Sequence, residues 1–174
     1  MIVVKHKYIA ARGRGGVGKV AGIGKTIAHM KYIQNRTGED KERGSGREMF
    51  NDSEERLNSK DMKAAIRELG DAKVIAHKLT LAPEISPEDK KAFTRDVMKN
   101  LSREKGLDLD WFAVEHNNRD HHHIHVVVLG KDRNGTEVSI HLRDIDRAKE
   151  HGDRYLEREQ PRAFERAREA REEK

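Results

Sequence analysis

Two stretches rich in strand-forming residues, 109–116 and 122–129, constrain the fold most, because only His121 and the short segment 117–120 separate them. That segment reads Asn-Asn-Arg-Asp, which is typical of a tight turn, and strands joined by so short a turn pair antiparallel. A second turn over 132–135 predicts a third strand, 136–142, in the same meander. The sequence therefore predicts an antiparallel sheet in this part of the chain.

The rest of the chain supplies two further strands and several helices around that sheet. Residues 2–10 and 74–81 alternate like strands, whereas the glycine-rich segment 12–26 and the polar segment 37–53 predict loops. This order predicts an α+β fold, with a central antiparallel sheet and flanking helices. Four helices are predicted. The first begins at Thr26, with Ile27, Met30 and Ile33 on one face, and the second covers 59–69. The third has an N-cap at Ser86 and Pro87 in its first turn and stops at Gly106, and the fourth runs from 144 to the end with an interruption near Pro161.

The composition limits the class of protein. A chain of 174 residues is long enough for one domain with its own core, and its hydrophobic fraction of 34% against a charged fraction of 39% predicts a modest core under a charged surface. The absence of cysteine excludes disulfides, a thiolate nucleophile and a Cys-ligated zinc, and it fits a cytoplasmic protein. No apolar stretch approaches transmembrane length, so we expect no membrane partner.

The charge is distributed unevenly along a chain whose net charge is +5. Residues 1–36 contain Lys and Arg but neither Asp nor Glu, and such a basic arm favours a polyanionic partner such as nucleic acid. A nucleotide cofactor is not expected, because a P-loop ending in Gly24-Lys25-Thr26 needs glycine at position 19, where the chain has Lys19. The glycine-rich segment therefore fits either a contact with a DNA backbone or a flexible linker.

Five of the ten histidines lie within residues 116–125. Side chains alternate across a strand, so His123 and His125 share one face, and His116 lies across the predicted hairpin within reach of it. His121 has the same parity, whereas His122 points to the opposite face. Three neutral imidazoles from paired strands can bind one divalent ion, although a wet strand end or a buried polar network would also accommodate them.

The segment from His116 to the valines after His125 resembles the three-histidine motif of conjugative relaxases of the MobA/VirD type. These belong to the HUH endonucleases, and their pattern is H-x-D-x-x-H-P-H-x-H followed by aliphatic residues. The resemblance implies that His116, His123 and His125 bind a divalent metal ion, with Mg, Mn, Zn, Co and Ni all open. Asn118 replaces the usual Asp and His122 the usual Pro. The residues that remain candidates for an acid/base or orienting role are Asp120, Glu115 and Asn118.

The sequence AHMKYIQNRTG resembles the N-terminal tyrosine motif of the same family, roughly H-x-x-Y-[IL]-x-R-x-G. The chain has three tyrosines, Tyr8, Tyr32 and Tyr155, and only Tyr32 lies in this motif. The resemblance implies that Tyr32 attacks a DNA phosphodiester and stays bonded to the 5′ phosphate. Without the histidine motif, a tyrosine on an amphipathic helix more often packs in the core.

The resemblance implies a relaxase domain over 1–143 that nicks single-stranded DNA at an origin of transfer with accessory relaxosome proteins. It leaves 144–174 as a charged helical extension and suggests that the chain belongs to a longer protein. A rolling-circle initiator or transposase of the same superfamily, and a non-catalytic DNA-binding protein with a structural metal, remain alternatives. The residues expected to contact DNA are Arg12, Arg14, Lys19, Lys25, Lys31 and Arg36.

Overall fold

A computed structural model describes residues 2–12, 20–36, 46–117 and 122–174, and within them five strands form one antiparallel sheet in the order β1-β3-β5-β4-β2. The predicted α+β class is confirmed. The elements in chain order are β1 (Ile2–Ala10), α1 (Val20–Asn35), β2 (Met49–Phe50), α2 (Ser59–Arg67), β3 (Val74–Pro83), α3 (Lys90–Lys105), β4 (Trp111–Asn117), β5 (His122–Leu129), α4 (Leu142–Glu159) and α5 (Pro161–Glu172).

Each face of the sheet is covered by its own apolar cluster. On one face, residues such as Phe93 of α3 and Leu156 of α4 pack against alternate side chains of β1, β3, β4 and β5. On the other face, Met30 and Ile33 of α1 and Ile66 of α2 pack against the intervening side chains. We refer to these as the α4 face and the α1 face. A strand in such a sheet is buried on both sides, which explains the continuous valine run of β5.

Helix α1 begins at Val20, so the prediction that 12–26 is entirely loop was wrong. Gly22 explains the early start. A Cβ at this position would lie 2.1 Å from the carbonyl oxygen of Ala10 and 2.8 Å from the Cα of Ala11. The absence of a side chain lets the first turn of the helix rest directly on the end of β1. Gly22 therefore serves close packing rather than a turn.

Helix α3 begins at Lys90, and the predicted N-cap at Ser86 with Pro87 in the first turn was wrong. The carboxylate of Asp89 accepts the backbone N–H of Ala92 at 2.9 Å and caps the helix instead. Ser86 contributes its carbonyl oxygen to the side-chain N–H of Gln160, between α4 and α5. The same Gln160 side chain accepts the backbone N–H of Glu88, so this segment is held outside the helix. The predicted stop at Gly106 is confirmed, with φ of 65°.

The third meander strand predicted over 136–142 does not form, and the structure has only an isolated bridge between Lys131 and Glu137. The carboxylate of Asp132 accepts the backbone N–H groups of Asn134 and Thr136, which curls the chain away from β5. The place beside β5 that a third meander strand would take is occupied by β3, and on the other side of the hairpin β2 pairs with β4. Strand β2 lies inside the segment predicted as a loop. Two residues are too few to show an alternating pattern in the sequence.

The predicted C-terminal helix is present as α4 and α5, divided at Gln160 and Pro161. Its apolar side chains, including Ile145, Tyr155 and Leu156, lie in the core of the α4 face. The domain boundary at residue 143 remains a prediction. Among the described residues, every helix is too short or too polar to span a membrane.

The contact between α1 and β1 predicts that Gly22→Ala destabilises the protein. The new methyl group would overlap backbone atoms of Ala10 and Ala11, so the helix must shift, at a cost of about 1–3 kcal/mol. Thermal unfolding followed by circular dichroism measures the effect. Gly24→Ala is the matched control, because a Cβ there meets nothing within 4 Å and alanine favours a helix by about 1 kcal/mol. Equal melting temperatures for the two variants would contradict the proposed contact.

Candidate active site

The β4–β5 hairpin brings three histidine side chains together on the α1 face. His116 is paired in register with His123, and His125 is paired with Val114. The ring centroids of His116, His123 and His125 are 5.8, 5.9 and 6.1 Å apart. The predicted convergence of these three rings is confirmed, and we call them the histidine triad. Their role as metal ligands remains a prediction.

The alternation along the hairpin sends other polar residues to the opposite face. His122 has the parity of Ile124 and Val126, which lie in the core of the α4 face, and its Nδ1 is 3.3 Å from Oδ1 of Asn117. Glu115 also has this parity. Burial raises the pKa of its carboxyl group, and the positive charge of Lys90 on α3 partly opposes that rise. The structure therefore does not bring Glu115 to the triad. The other candidates for an acid/base role, Asn118 and Asp120, lie outside the described residues.

The triad is partly buried, and its surroundings keep at least one ring neutral. His116 is only 1% exposed. Burial, followed by the neighbouring His116 and His123, lowers the pKa of His125 to about 4. An imidazole with so low a pKa is neutral near pH 7 and keeps a lone pair on one nitrogen. Such a ring is in the protonation state that a metal ion requires of its ligand.

The spacing of the triad fits a divalent ion. A point at the centre of the triangle lies about 3.4 Å from each centroid, as calculated from the three separations. A metal–nitrogen bond of about 2.1 Å added to an imidazole radius of about 1.2 Å requires about 3.3 Å. The rings must still rotate to aim one nitrogen each at that point, because no group of three or more His, Asp or Glu side chains among the described residues is already arranged to hold a metal.

Helix α1 carries Tyr32 over the same face of the sheet as the triad. Met30 and Ile33 anchor the helix in the core, whereas Tyr32 is 54% exposed, so the alternative that its ring packs in the core is wrong. The ring centroids of Tyr32 and His29 lie 6.5 Å apart. The guanidinium carbon Cζ of Arg36 lies 5.6 Å from the centroid of the Tyr32 ring.

His29 connects the tyrosine with the triad. His29 and His125 line one cleft of about 200 Å³, and both His29 and Arg36 contribute to the lowered pKa of His125. Burial, followed by the charge of Lys78, also lowers the pKa of His29, to about 4. Tyr32 is therefore an exposed phenol next to His29, which lines the cleft together with His125 of the triad.

The two other tyrosines lie away from this site. Tyr8 is 64% exposed but has the parity of Val4, so it belongs to the α4 face, where it lines a different cleft with Ile140. Tyr155 is 9% exposed and packs edge-on against Phe93 in the core of the same face. The fold separates both phenols from the triad by the thickness of the sheet.

The residues expected to contact DNA are partly described. Arg12, at the end of β1, and Lys25, Lys31 and Arg36, on or just after α1, are exposed, and Arg14 and Lys19 lie outside the described residues. Three other lysines, which were not expected from the sequence, line the cleft with His125: Lys5, Lys7 and Lys78. Alternation along β1 indicates that Lys5 and Lys7 share a face. It does not indicate that β3 lies between β1 and β5, and that strand order is what brings these lysines into one cleft with His125.

Comparison with known proteins gave three results. No curated protein matches the chain. Among solved structures, the chain is similar to the MobM relaxase domain (MOBV; Mob_Pre) bound to 26-nucleotide pMV158 oriT DNA, with 14% sequence identity, a TM-score of 0.48, and coverage of 91% of this chain and 87% of that one. The model of the family "Relaxase: MobA/VirD2-like, nuclease domain" matches residues 32–160, which include the whole of the histidine triad and begin at Tyr32. The chain therefore belongs to the MobA/VirD2-like relaxases, and the matched residues are the nuclease domain of that family.

Proposed function

We propose that this relaxase cleaves single-stranded DNA at an origin of transfer in a metal-dependent reaction, with Tyr32 as the nucleophile. The observation that carries the proposal is the position of Tyr32, an exposed phenol that contacts His29 at the edge of the cleft containing His125. The cut strand would remain attached through a 5′-phosphotyrosine bond and could later be rejoined, which suits an enzyme that starts conjugative transfer or mobilisation.

The covalent step exchanges one phosphodiester for another. The phenolic oxygen of Tyr32 forms a bond to phosphorus, the bond from phosphorus to the 3′ oxygen breaks, and the proton of the phenol is balanced by protonation of that 3′ oxygen. A phenol is a weak nucleophile at neutral pH unless a neighbouring group assists it. The positive charge of Arg36, whose guanidinium lies 5.6 Å from the centre of the Tyr32 ring, would stabilise the extra negative charge that develops on the phosphate, and Lys31 would add to that positive potential.

His116, His123 and His125 would hold the divalent ion, which when bound polarises the scissile phosphate as a Lewis acid. An all-imidazole set favours Mn, Co, Ni or Zn over Mg, which prefers oxygen ligands. The sheet fixes the rings on one rigid hairpin, and the apolar residues of the α1 face keep bulk water from one side of them. Positioning by a rigid element is a general requirement for such a site.

The DNA partner and the rival functions follow from the same site. We propose origin DNA as the substrate and accessory relaxosome proteins as partners. A rolling-circle initiator or transposase of the HUH superfamily is the nearest alternative, and the third histidine, His116, together with a tyrosine near the N-terminus favours the relaxase. In a non-catalytic DNA-binding protein with a structural metal, no phenol would need to stand exposed beside the triad, as Tyr32 does.

Tyr32→Phe should abolish the covalent protein–DNA adduct and leave the fold, metal content and DNA affinity nearly unchanged, because it removes one hydroxyl from an exposed ring. Denaturing gels of the protein incubated with labelled single-stranded origin DNA and Mn²⁺ measure the adduct. Tyr8→Phe and Tyr155→Phe are controls, since both phenols lie on the α4 face, and both should still form it. An adduct of normal yield with Tyr32→Phe would exclude this nucleophile.

His123→Ala should reduce nicking by at least about 100-fold and weaken binding of Mn²⁺, because a three-ligand site does not tolerate the loss of one ligand. His122→Ala is the matched control, one residue away on the opposite face of the same strand, and should retain most activity. Calorimetric titration with Mn²⁺ and a nicking assay measure the two effects. Comparable loss in both variants would show that the parity of the strand does not determine which histidines bind the metal.

A further inference from the structure

We propose that Lys5, Lys7 and Lys78, with Thr80 between them, form a phosphate-binding strip that holds the backbone of the single-stranded DNA on the α1 face. The strip leads from the histidine triad towards the free edge of the sheet at β1. This proposal rests on the proposed function only in taking the triad as the place of cleavage. The residues of the strip were not among those expected from the sequence to contact DNA.

The strand register places the strip in line with the triad. Thr80 on β3 is paired with His125 on β5 and, on its other side, with Lys5 on β1. Lys5 is thus two strand spacings, about 10 Å, from His125. Lys7 and Lys78 form the next pair on the same face. A strand whose scissile phosphate lies at the triad would have its neighbouring phosphates within reach of these flexible side chains.

The face is open at this end of the sheet. Val3, which precedes Lys5 by two residues and shares its parity, is 54% exposed, so α1 does not cover it. Lys5 and Lys7 are exposed, and Lys78 and Thr80 are half-buried at the floor of the cleft that also contains His29 and His125. That cleft therefore joins the lysines directly to the site of the proposed reaction.

Within the described residues, no carboxylate neutralises the charges of the strip. Lys7 and Lys78 lie directly opposite each other on neighbouring strands, an arrangement in which like charges repel. In the part of the chain that the structure describes, Lys5, Lys7 and Lys78 form no ion pair, and the cleft they line contains no Asp or Glu. By contrast, Lys91, Lys105 and Lys131 each bind a carboxylate. A polyanion would relieve the repulsion, and a phosphodiester backbone supplies one negative charge per nucleotide.

The test is the salt dependence of DNA binding by Lys7→Gln/Lys78→Gln. Fluorescence anisotropy with a labelled single-stranded oligonucleotide of mixed sequence measures affinity, in EDTA and in a Tyr32→Phe background so that neither metal nor cleavage contributes. Each phosphate that the protein no longer neutralises should reduce the slope of log K against log salt by about 0.7, so the slope of the double variant should be smaller by about 1.4. Lys99→Gln/Arg103→Gln removes the same charge from exposed positions of α3, on the α4 face, and should leave the slope nearly unchanged.

Two results would overturn the role of the lysines themselves, and two more would overturn the assignment to single-stranded DNA. One is an equal change of slope in both double variants, which would mean that only net charge matters. The other is a lower melting temperature for Lys7→Gln/Lys78→Gln, since removing a repulsive pair should leave stability unchanged or raised. Tighter, equally lysine-dependent binding of duplex DNA, or loss of inorganic phosphate binding alone, would also contradict the assignment to a single strand. None of these results depends on adduct formation, so the strip and the nucleophile are tested separately.

Discussion

The antiparallel register of β4 and β5 is the constraint on which the rest of the site depends. Pairing His116 with His123 brings two rings from different strands to one face, and the two-residue period adds His125. A slip of one residue would turn His123 and His125 into the apolar core of the α4 face and replace them with His122 and Ile124. The valines after His125 are buried on both faces, so they stabilise the strand without selecting between the two registers.

The two faces of the sheet serve different purposes. The α4 face is closed by α3, α4 and α5, and Gly152 lets α4 approach so closely that a Cβ there would lie 2.1 Å from Ile2. Among the described residues, α1 and α2 cover part of the α1 face, and the part towards β1 carries the exposed Val3 and the lysines of the strip. The polar side chains of the candidate site therefore lie where the cover of α1 ends, and there His29 of α1 and His125 of β5 line the same cleft. The helices packed on the α4 face support the sheet, so the α1 face can carry this site with a smaller apolar core of its own.

The sequence predicted what depends on local pattern. Strand β5 was predicted over its full length, and the parity of His122 and His123 followed from alternation alone. It did not predict β2, which is too short for a pattern. It also wrongly predicted a strand over 136–142, because the Asp132 carboxylate accepts the backbone N–H groups of Asn134 and Thr136. The lysine strip was missed because it depends on the order of strands in the sheet, and a sequence with hairpins and crossovers allows several orders. The exposure of Tyr32 was likewise not predictable, because it depends on which side of α1 packs against the sheet.

The most direct test of the account is the position of the covalent bond to DNA. The protein is incubated with single-stranded origin DNA and Mn²⁺, digested with nuclease and trypsin, and analysed by tandem mass spectrometry. Trypsin cuts after Lys31 and Arg36, so the account predicts a nucleotide attached to the peptide Tyr32-Ile33-Gln34-Asn35-Arg36 through the phenolic oxygen. A nucleotide found on a peptide that contains Tyr155, or on any residue other than Tyr32, would contradict it.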